Sequence, residues 1–98
     1  MRSEDKTAVL LIRESPGRAP DPSRMRELFG LAQAAGYRVL AEISQRRSRD
    51  HLFQIGRGKI EEAISYHPHR LIFYNPLSPG QVYNIRSQFG VTVLDRFN

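Results

Sequence analysis

Four short apolar runs separated by three stretches of helical periodicity constrain this chain more than any other feature. Thr7 to Ile12 (TAVLLI), Tyr37 to Ser44 (YRVLAEIS), Leu71 to Tyr74 (LIFY) and Val91 to Leu94 (VTVL) are too short for buried helices. They are rich in β-branched and aromatic residues, as strands are. The first helical stretch opens at Asp21-Pro22, where the carboxylate can accept an early backbone N–H and proline loses no needed donor. Met25, Leu28, Leu31, Ala32 and Ala35 share one helical face, and Gly36 stands where a left-handed cap is wanted. A second helix is expected over Lys59 to Tyr66, with Ile60, Ala63 and Ile64 at helical spacing, Glu61 and Glu62 near its positive end, and Pro68 beyond it. Ser78-Pro79-Gly80-Gln81 has the form of a capping box; Val82, Ile85 and Phe89 make the buried face, and Gly90 closes the helix.

The order is therefore βαβαβαβ. Connections this long join parallel strands by right-handed crossovers, which predicts an α/β fold with a four-stranded parallel sheet and helices on both faces. Thr7 to Ile12 and Leu71 to Tyr74 are uniformly apolar, as central strands buried on both faces should be. Tyr37 to Ser44 alternates only partly: Tyr37, Val39, Ala41 and Ile43 fall on one side, Arg38, Glu42 and Ser44 on the other, and Leu40 breaks the pattern. Such a strand belongs at an edge, which gives the spatial order 2-1-3-4. Met1 to Lys6 reads as a polar tail, and Arg13 to Pro20, with two prolines and a glycine, as a long loop.

With 98 residues the chain can bury one core and no independent second one, so residues 1–98 are read as a single domain. Cysteine is absent, which excludes disulfides and thiolate metal sites. No apolar run approaches the roughly 20 residues that span a bilayer, and the N-terminal stretch has too short an apolar core for a secretory signal. A cytoplasmic protein without membrane contact is expected. The net charge of +5 and pI near 10.2 suit a polyanionic partner, although that charge also suits simple solubility.

Charge placement narrows the choice. In open α/β sheets the functional surface lies beyond the carboxyl ends of the strands. There the sequence puts Arg13 to Pro20, Gln45 to Gly58, Asn75 to Ser78 and Asp95 to Asn98. The second of these is the notable one: residues 45–59 hold Arg46, Arg47, Arg49, Arg57 and Lys59 against Asp50 alone, one third of the chain's fifteen cations. Phe53 and Ile55 interleave with them, either as anchors on the core or, for Phe53, as a stacking surface for a base. A solvated basic loop and a nucleic-acid contact both fit. Gly56-Arg57-Gly58-Lys59 is similar to the end of a phosphate loop, but Ile60 follows the lysine where a Walker element needs Ser or Thr. His51, His67 and His69 lack partners in the pattern of a metal site, and no nucleophile, base and orienter set is apparent; no catalytic or metal site is expected.

Taken in order, MRELFGLAQAAGYRV (25–39), Gln45-Arg46-Arg47, IGRGKIEE (55–62), Leu71-Ile72-Phe73, Leu77-Ser78-Pro79 and VTVLDR (91–96) resemble the N-terminal domain of the HflX-type GTPases. The resemblance covers nearly the whole chain after the first strand. It implies a ribosome-associated GTP-binding protein whose α/β domain contacts large-subunit RNA, followed by a helical linker and a GTP-binding domain. Carried onto this sequence, the implied RNA-facing positions are Gln45, Arg46, Arg47, Gly56, Gly58 and Lys59; the charge argument adds Arg49 and Arg57. Many relatives have proline beside the loop aspartate, whereas Asp50 here lies between Arg49 and His51. No Walker A, D-x-x-G or N-K-x-D segment is present, so the chain is expected to be a domain excised from a longer protein, with GTP and Mg held in the domain it lacks and no hydrolysis of its own.

Two other readings stay open. One is a small flavodoxin-like nucleotide- or ligand-binding domain with a pocket built by Arg13, Asn75 and Ser78. The other is a regulatory module that packs on the GTP-binding domain of the same parent chain. Oligomeric state is not legible in the sequence.

Overall fold

The computed structural model describes residues 6–97. In chain order these form β1 (Lys6–Glu14), α1 (Pro22–Ala34), β2 (Tyr37–Arg46), α2 (Arg57–Ile64), β3 (Arg70–Phe73), α3 (Pro79–Phe89) and β4 (Thr92–Asp95). The strands make one parallel sheet in the order β2-β1-β3-β4, as the alternation of runs requires. Of the expected polar tail, Lys6 opens β1, and residues 1–5 lie outside the described range.

Local chemistry sets the helix ends. Asp21 accepts the backbone N–H of Ser23 at 3.0 Å, Pro22 follows, and Gly36 leaves α1 with a φ of +89°, a conformation that disfavours a side chain. Around α3 the capping box is complete: Ser78 Oγ accepts the Gln81 N–H at 3.1 Å and Gln81 Oε1 accepts the Ser78 N–H at 3.0 Å. By contrast α2 begins at Arg57, two residues before the expected start, and has Gly56 as a cap with no side-chain bond.

Both faces of the sheet carry helices. Leu28 and Ala32 of α1 pack on Ala8, Leu10, Ile12 and Ile72. Ile60 and Ala63 of α2 and Ile85 of α3 pack on the other face, with Val9, Leu11, Ile43, Leu71, Phe73 and Val93. Leu31 corrects the periodicity argument, since it shares the α1 stripe yet is 46% exposed, and Ala35 is exposed as well. Beyond α1 nothing among the described residues covers that side of the stripe.

The irregularity at Leu40 has a structural cause. Ala8 pairs with Val39 but Val9 pairs with Ala41, so Leu40 is the extra residue of a bulge in β2. Tyr37 and Val39 consequently face α1, while Ala41 and Ile43 face α2 and α3. Had the ladder been regular, all four would have shared one face.

Candidate nucleic-acid interface

β1 and β2 run further than the apolar runs alone suggest, to Glu14 and Arg46, and the ladder continues through the Arg47 N–H, which donates to the Glu14 carbonyl at 2.9 Å. Arg46 and Arg47 therefore rise directly from a rigid strand end. The segment after them is folded back on itself. Asp50 and Gln54 exchange both backbone hydrogen bonds, at 3.2 and 2.9 Å, and Asp50 Oδ1 accepts the N–H groups of Leu52 and Phe53, each at 2.9 Å. This aspartate-centred turn defines the loop between Arg49 and Ile55.

Gln54 locks the turn to the sheet. It is 2% exposed, with a φ of +72°; its Oε1 accepts Arg13 Nε at 2.7 Å and its Nε2 donates to the Pro76 carbonyl at 2.8 Å. Arg13 Nη1 reaches the Arg47 carbonyl at 3.0 Å. From the far side α3 adds Gln81 Nε2 to the carbonyls of Asp50 and His51, at 3.3 and 3.4 Å, and Asn84 Nδ2 to that of Leu52 at 3.2 Å. Phe53 and Ile55 are buried, Phe53 edge-on to Phe89 at 5.4 Å, so Phe53 anchors the loop and offers no surface to a base.

The eight expected contact residues divide by what they touch. Gln45 faces inward: its Oε1 accepts the Gly56 N–H at 2.9 Å, and a Cβ on Gly56 would stand 2.9 Å from that oxygen and 3.1 Å from an Arg47 nitrogen. Arg57 lies over the rings of Phe53 and Phe89, at 5.3 and 5.0 Å, and donates to Gln88 at 2.5 Å. Lys59 pairs with Glu62 at 3.4 Å, and Gly58 has open space about it. Arg46, Arg47 and Arg49 remain at the strand end. Arg46 donates to the Arg18 carbonyl, Arg47 sits 3.6 Å from Asp50, and exposed Arg49 has no hydrogen bond or ion pair among the described residues.

Crowding of like charge marks this corner. Burial first, then the nearby Arg49 and Arg47, push the Arg13 guanidinium below its usual value. Three arginines from β1 and the turn thus share one neighbourhood, and an anion placed there would relieve the repulsion. Arg18, which the sequence reading did not single out, belongs to the same corner through its carbonyl. Gln54 and Asn84, and the reach of the capping-box residue Gln81 into the turn, leave no trace in the sequence, because a polar side chain bridging loops has no periodic signature.

The alternative pocket residues are engaged with one another. Asn75 Oδ1 accepts the Arg13 N–H at 2.8 Å, Asn75 Nδ2 donates to the Arg13 carbonyl at 2.9 Å, and Ser78 caps α3. His69 holds the opposite end of the sheet, its Nδ1 accepting the Thr7 N–H at 3.1 Å. Among the described residues no group of three or more His, Cys, Asp or Glu could hold a metal, and no helix is long and apolar enough to cross a membrane.

Fold and site together define a small doubly wound α/β domain with an arginine-rich turn at its carboxyl edge. The family described as GTP-binding GTPase N-terminal matches residues 22–98. A GTPase HflX of Thermofilum pendens is 35% identical over 102 aligned positions, covering 99% of this chain and 24% of its own length; one of Thermococcus kodakarensis is 33% identical, covering 92% and 21%. A variant of the protein SsGBP shares the fold at a TM-score of 0.75 with 26% identity, over 93% of this chain and 29% of that one. A GTP-binding protein of Sulfolobus solfataricus in complex with GDP, at 23% identity and a TM-score of 0.70, shares the fold over 93% of this chain and 27% of that one. The chain belongs to the HflX family as an N-terminal domain, and it spans about a quarter of the length of the curated relatives it matches.

Proposed function

We propose that this domain binds large-subunit ribosomal RNA in the cytoplasm, with Arg46, Arg47 and Arg49 on the phosphates and Gln45, Gly56 and Arg57 holding the turn in shape. The crowding of Arg13, Arg47 and Arg49 carries the reading: like charges gathered on a prebuilt turn are stabilised by a polyanion. Gly58 and Lys59, at the start of α2, lie at the margin of this contact.

The parent protein would be a GTPase whose GTP and magnesium sit in another domain. Within this chain the Gly56–Lys59 turn does not fit a phosphate, because the Gly56 N–H is already given to Gln45 and the Lys59 amine to Glu62. This domain alone is accordingly expected to leave GTP intact.

Binding of the chain to ribosomal RNA, followed from about 50 to 200 mM salt, tests the proposal. Each phosphate contact to a single strand contributes roughly 0.7 to the slope of log K against log salt. Arg46, Arg47 and Arg49 changed together to Gln should lower that slope by about 2 and weaken binding, with the circular dichroism of the fold retained. Salt-independent binding, or an unchanged slope in the triple variant, would overturn it.

A further inference from the structure

Leu77-Ser78-Pro79 and Leu94-Asp95-Arg96, two stretches singled out in the sequence, meet at one peptide bond. The unit joining Pro76 to Leu77 is held from both sides: its N–H donates to Asp95 Oδ2 at 2.8 Å, and its carbonyl accepts Gln54 Nε2 at 2.8 Å. Gln54 Oε1 in turn accepts Arg13 Nε at 2.7 Å, and Arg13 Nη1 donates to the Arg47 carbonyl at 3.0 Å. Asp95 is 8% exposed and Gln54 2%, so a largely desolvated chain of hydrogen bonds runs from the end of β4 to the arginine-rich turn.

From Arg13 to Asp95 every bond points the same way. A guanidinium can only donate and a carboxylate can only accept, whereas the Gln54 amide and the peptide unit can each be turned end for end. Turned over, the planar peptide would aim its carbonyl at Asp95 and its N–H at Gln54. The Gln54 amide would then have to turn too, setting its NH₂ against Arg13, donor on donor. Asp95 thus fixes the sense of the whole series, and bonds aligned in this way strengthen one another. Gln54 holds a left-handed backbone, φ +72°, which a residue with a side chain keeps only where its surroundings over-determine it. Asn75, next to Pro76, grips the Arg13 main chain through both its N–H and its carbonyl. One short loop therefore controls the Arg13 backbone directly and the guanidinium through Gln54.

We propose that Asp95 is a positioning residue for the arginine-rich turn: by fixing the direction of the Pro76–Leu77 peptide it orients Gln54 and Arg13, and through Arg13 the backbone at Arg47. The consequence for binding rests on the RNA reading above; the geometric claim does not. Among the described residues the Asp95 carboxylate bonds only to backbone N–H groups, Oδ2 to Leu77 and Oδ1 to Phe97 at 2.9 Å, so it acts on the turn solely through its neighbours. Asparagine at this position offers one oxygen where two donors arrive, and its NH₂ faces the second of them. The grip on the peptide is then weakened with almost no change of side-chain volume.

The test compares the 98-residue chain with Asp95→Asn, Gln54→Met and the double variant, each checked for folding by circular dichroism. Hydrogen exchange of the Arg13 Nε–H, followed by NMR without RNA, reads the geometry directly. Faster exchange in Asp95→Asn, with the amides of α1 and of β1 as protected as before, supports the proposal; an Arg13 Nε–H as protected as in the parent overturns it, as does a uniform loss of protection, which would make Asp95 a merely structural residue. The second readout is affinity for ribosomal RNA. Asp95→Asn should bind about fivefold more weakly, and the double variant no more weakly than Gln54→Met alone, since a residue that acts through Gln54 has nothing further to lose once Gln54 is gone. Undiminished binding by Asp95→Asn, or losses that simply add in the double variant, overturns the proposal. Should the parent chain bind no RNA, the function proposed above falls, and the Arg13 exchange rates alone decide the role of Asp95.

Discussion

On the face that carries α2 and α3, twelve buried apolar residues form the core among those described; on the face that carries α1, six do. The same central strand serves both, Val9 and Leu11 pointing one way and Ala8, Leu10 and Ile12 the other. What differs is the number of helices laid over the sheet. The better covered face also holds the arginine-rich turn, through Phe53, Ile55, Gln81 and Asn84, so the layer with the larger core is the one that positions charge. The barer face meets solvent with Leu31 and Phe97.

That contrast can be broken by substitution. The largest effect is expected for Ile85→Ala, which empties a fully buried site between α3 and the sheet: a loss of about 2–5 kcal/mol, read by urea unfolding with an unchanged m-value. A much smaller loss would mean that this face is less tightly packed than its burial implies. Gly56→Ala should cost about 1–2 kcal/mol, because the new methyl displaces the Gln45 amide and strands the Gly56 N–H. It should also weaken RNA binding, which separates it from a core variant of equal stability. Leu31→Ser on the barer face should lie within about 0.5 kcal/mol of the parent in this chain, as exposed positions do; a larger loss would show Leu31 to be better packed than its exposure suggests.

The smallest effect concerns the start of α1. The Ser23 hydroxyl and then the Ser23 N–H, both bonded to the Asp21 carboxylate, hold Asp21 below the ordinary value of 3.8, with Arg24 and Arg26 contributing in the same sense and desolvation opposing. A folded-state value below the unfolded one means that the cap stabilises α1 above the ordinary carboxylate range and stops doing so as pH falls through the lowered value. Carboxyl chemical shifts of Asp21 through an acid titration should show this, and Asp21→Ala should remove that part of the pH dependence. An Asp21 that titrates at its ordinary value would separate the cap geometry from any stabilising role.

Much of the fold was legible because it rests on local rules. Alternating runs gave the strand order, and proline, glycine and serine at fixed offsets gave the ends of α1 and α3. Two features that depend on tertiary context were not. Leu31 fits the helical stripe, but its exposure depends on what lies over β3 and β4, which periodicity cannot report. At Leu40 the broken alternation was visible, yet only the pairing partner reveals a bulge. In the candidate site, the clustering of arginines could be read from the chain, whereas the inward role of Gln45 and the stacking of exposed Arg57 over Phe53 and Phe89 could not, since a glutamine that receives a backbone N–H looks in sequence like any solvated one. Gln54 is the extreme case, buried and in a left-handed conformation with no motif to announce it.

The bulge in β2 bears on how the chain behaves in a crowd. β2 is the long exposed edge of the sheet, ten residues of it, and an uninterrupted edge invites a neighbouring molecule to add a strand. With Leu40 out of step the edge offers no continuous ladder, and flanking Arg38 and Glu42 put charge beside the break. The opposite edge, β4, is only four residues long. Both borders of the sheet thus disfavour strand addition by different means, one by a bulge flanked by charge and the other by its short length.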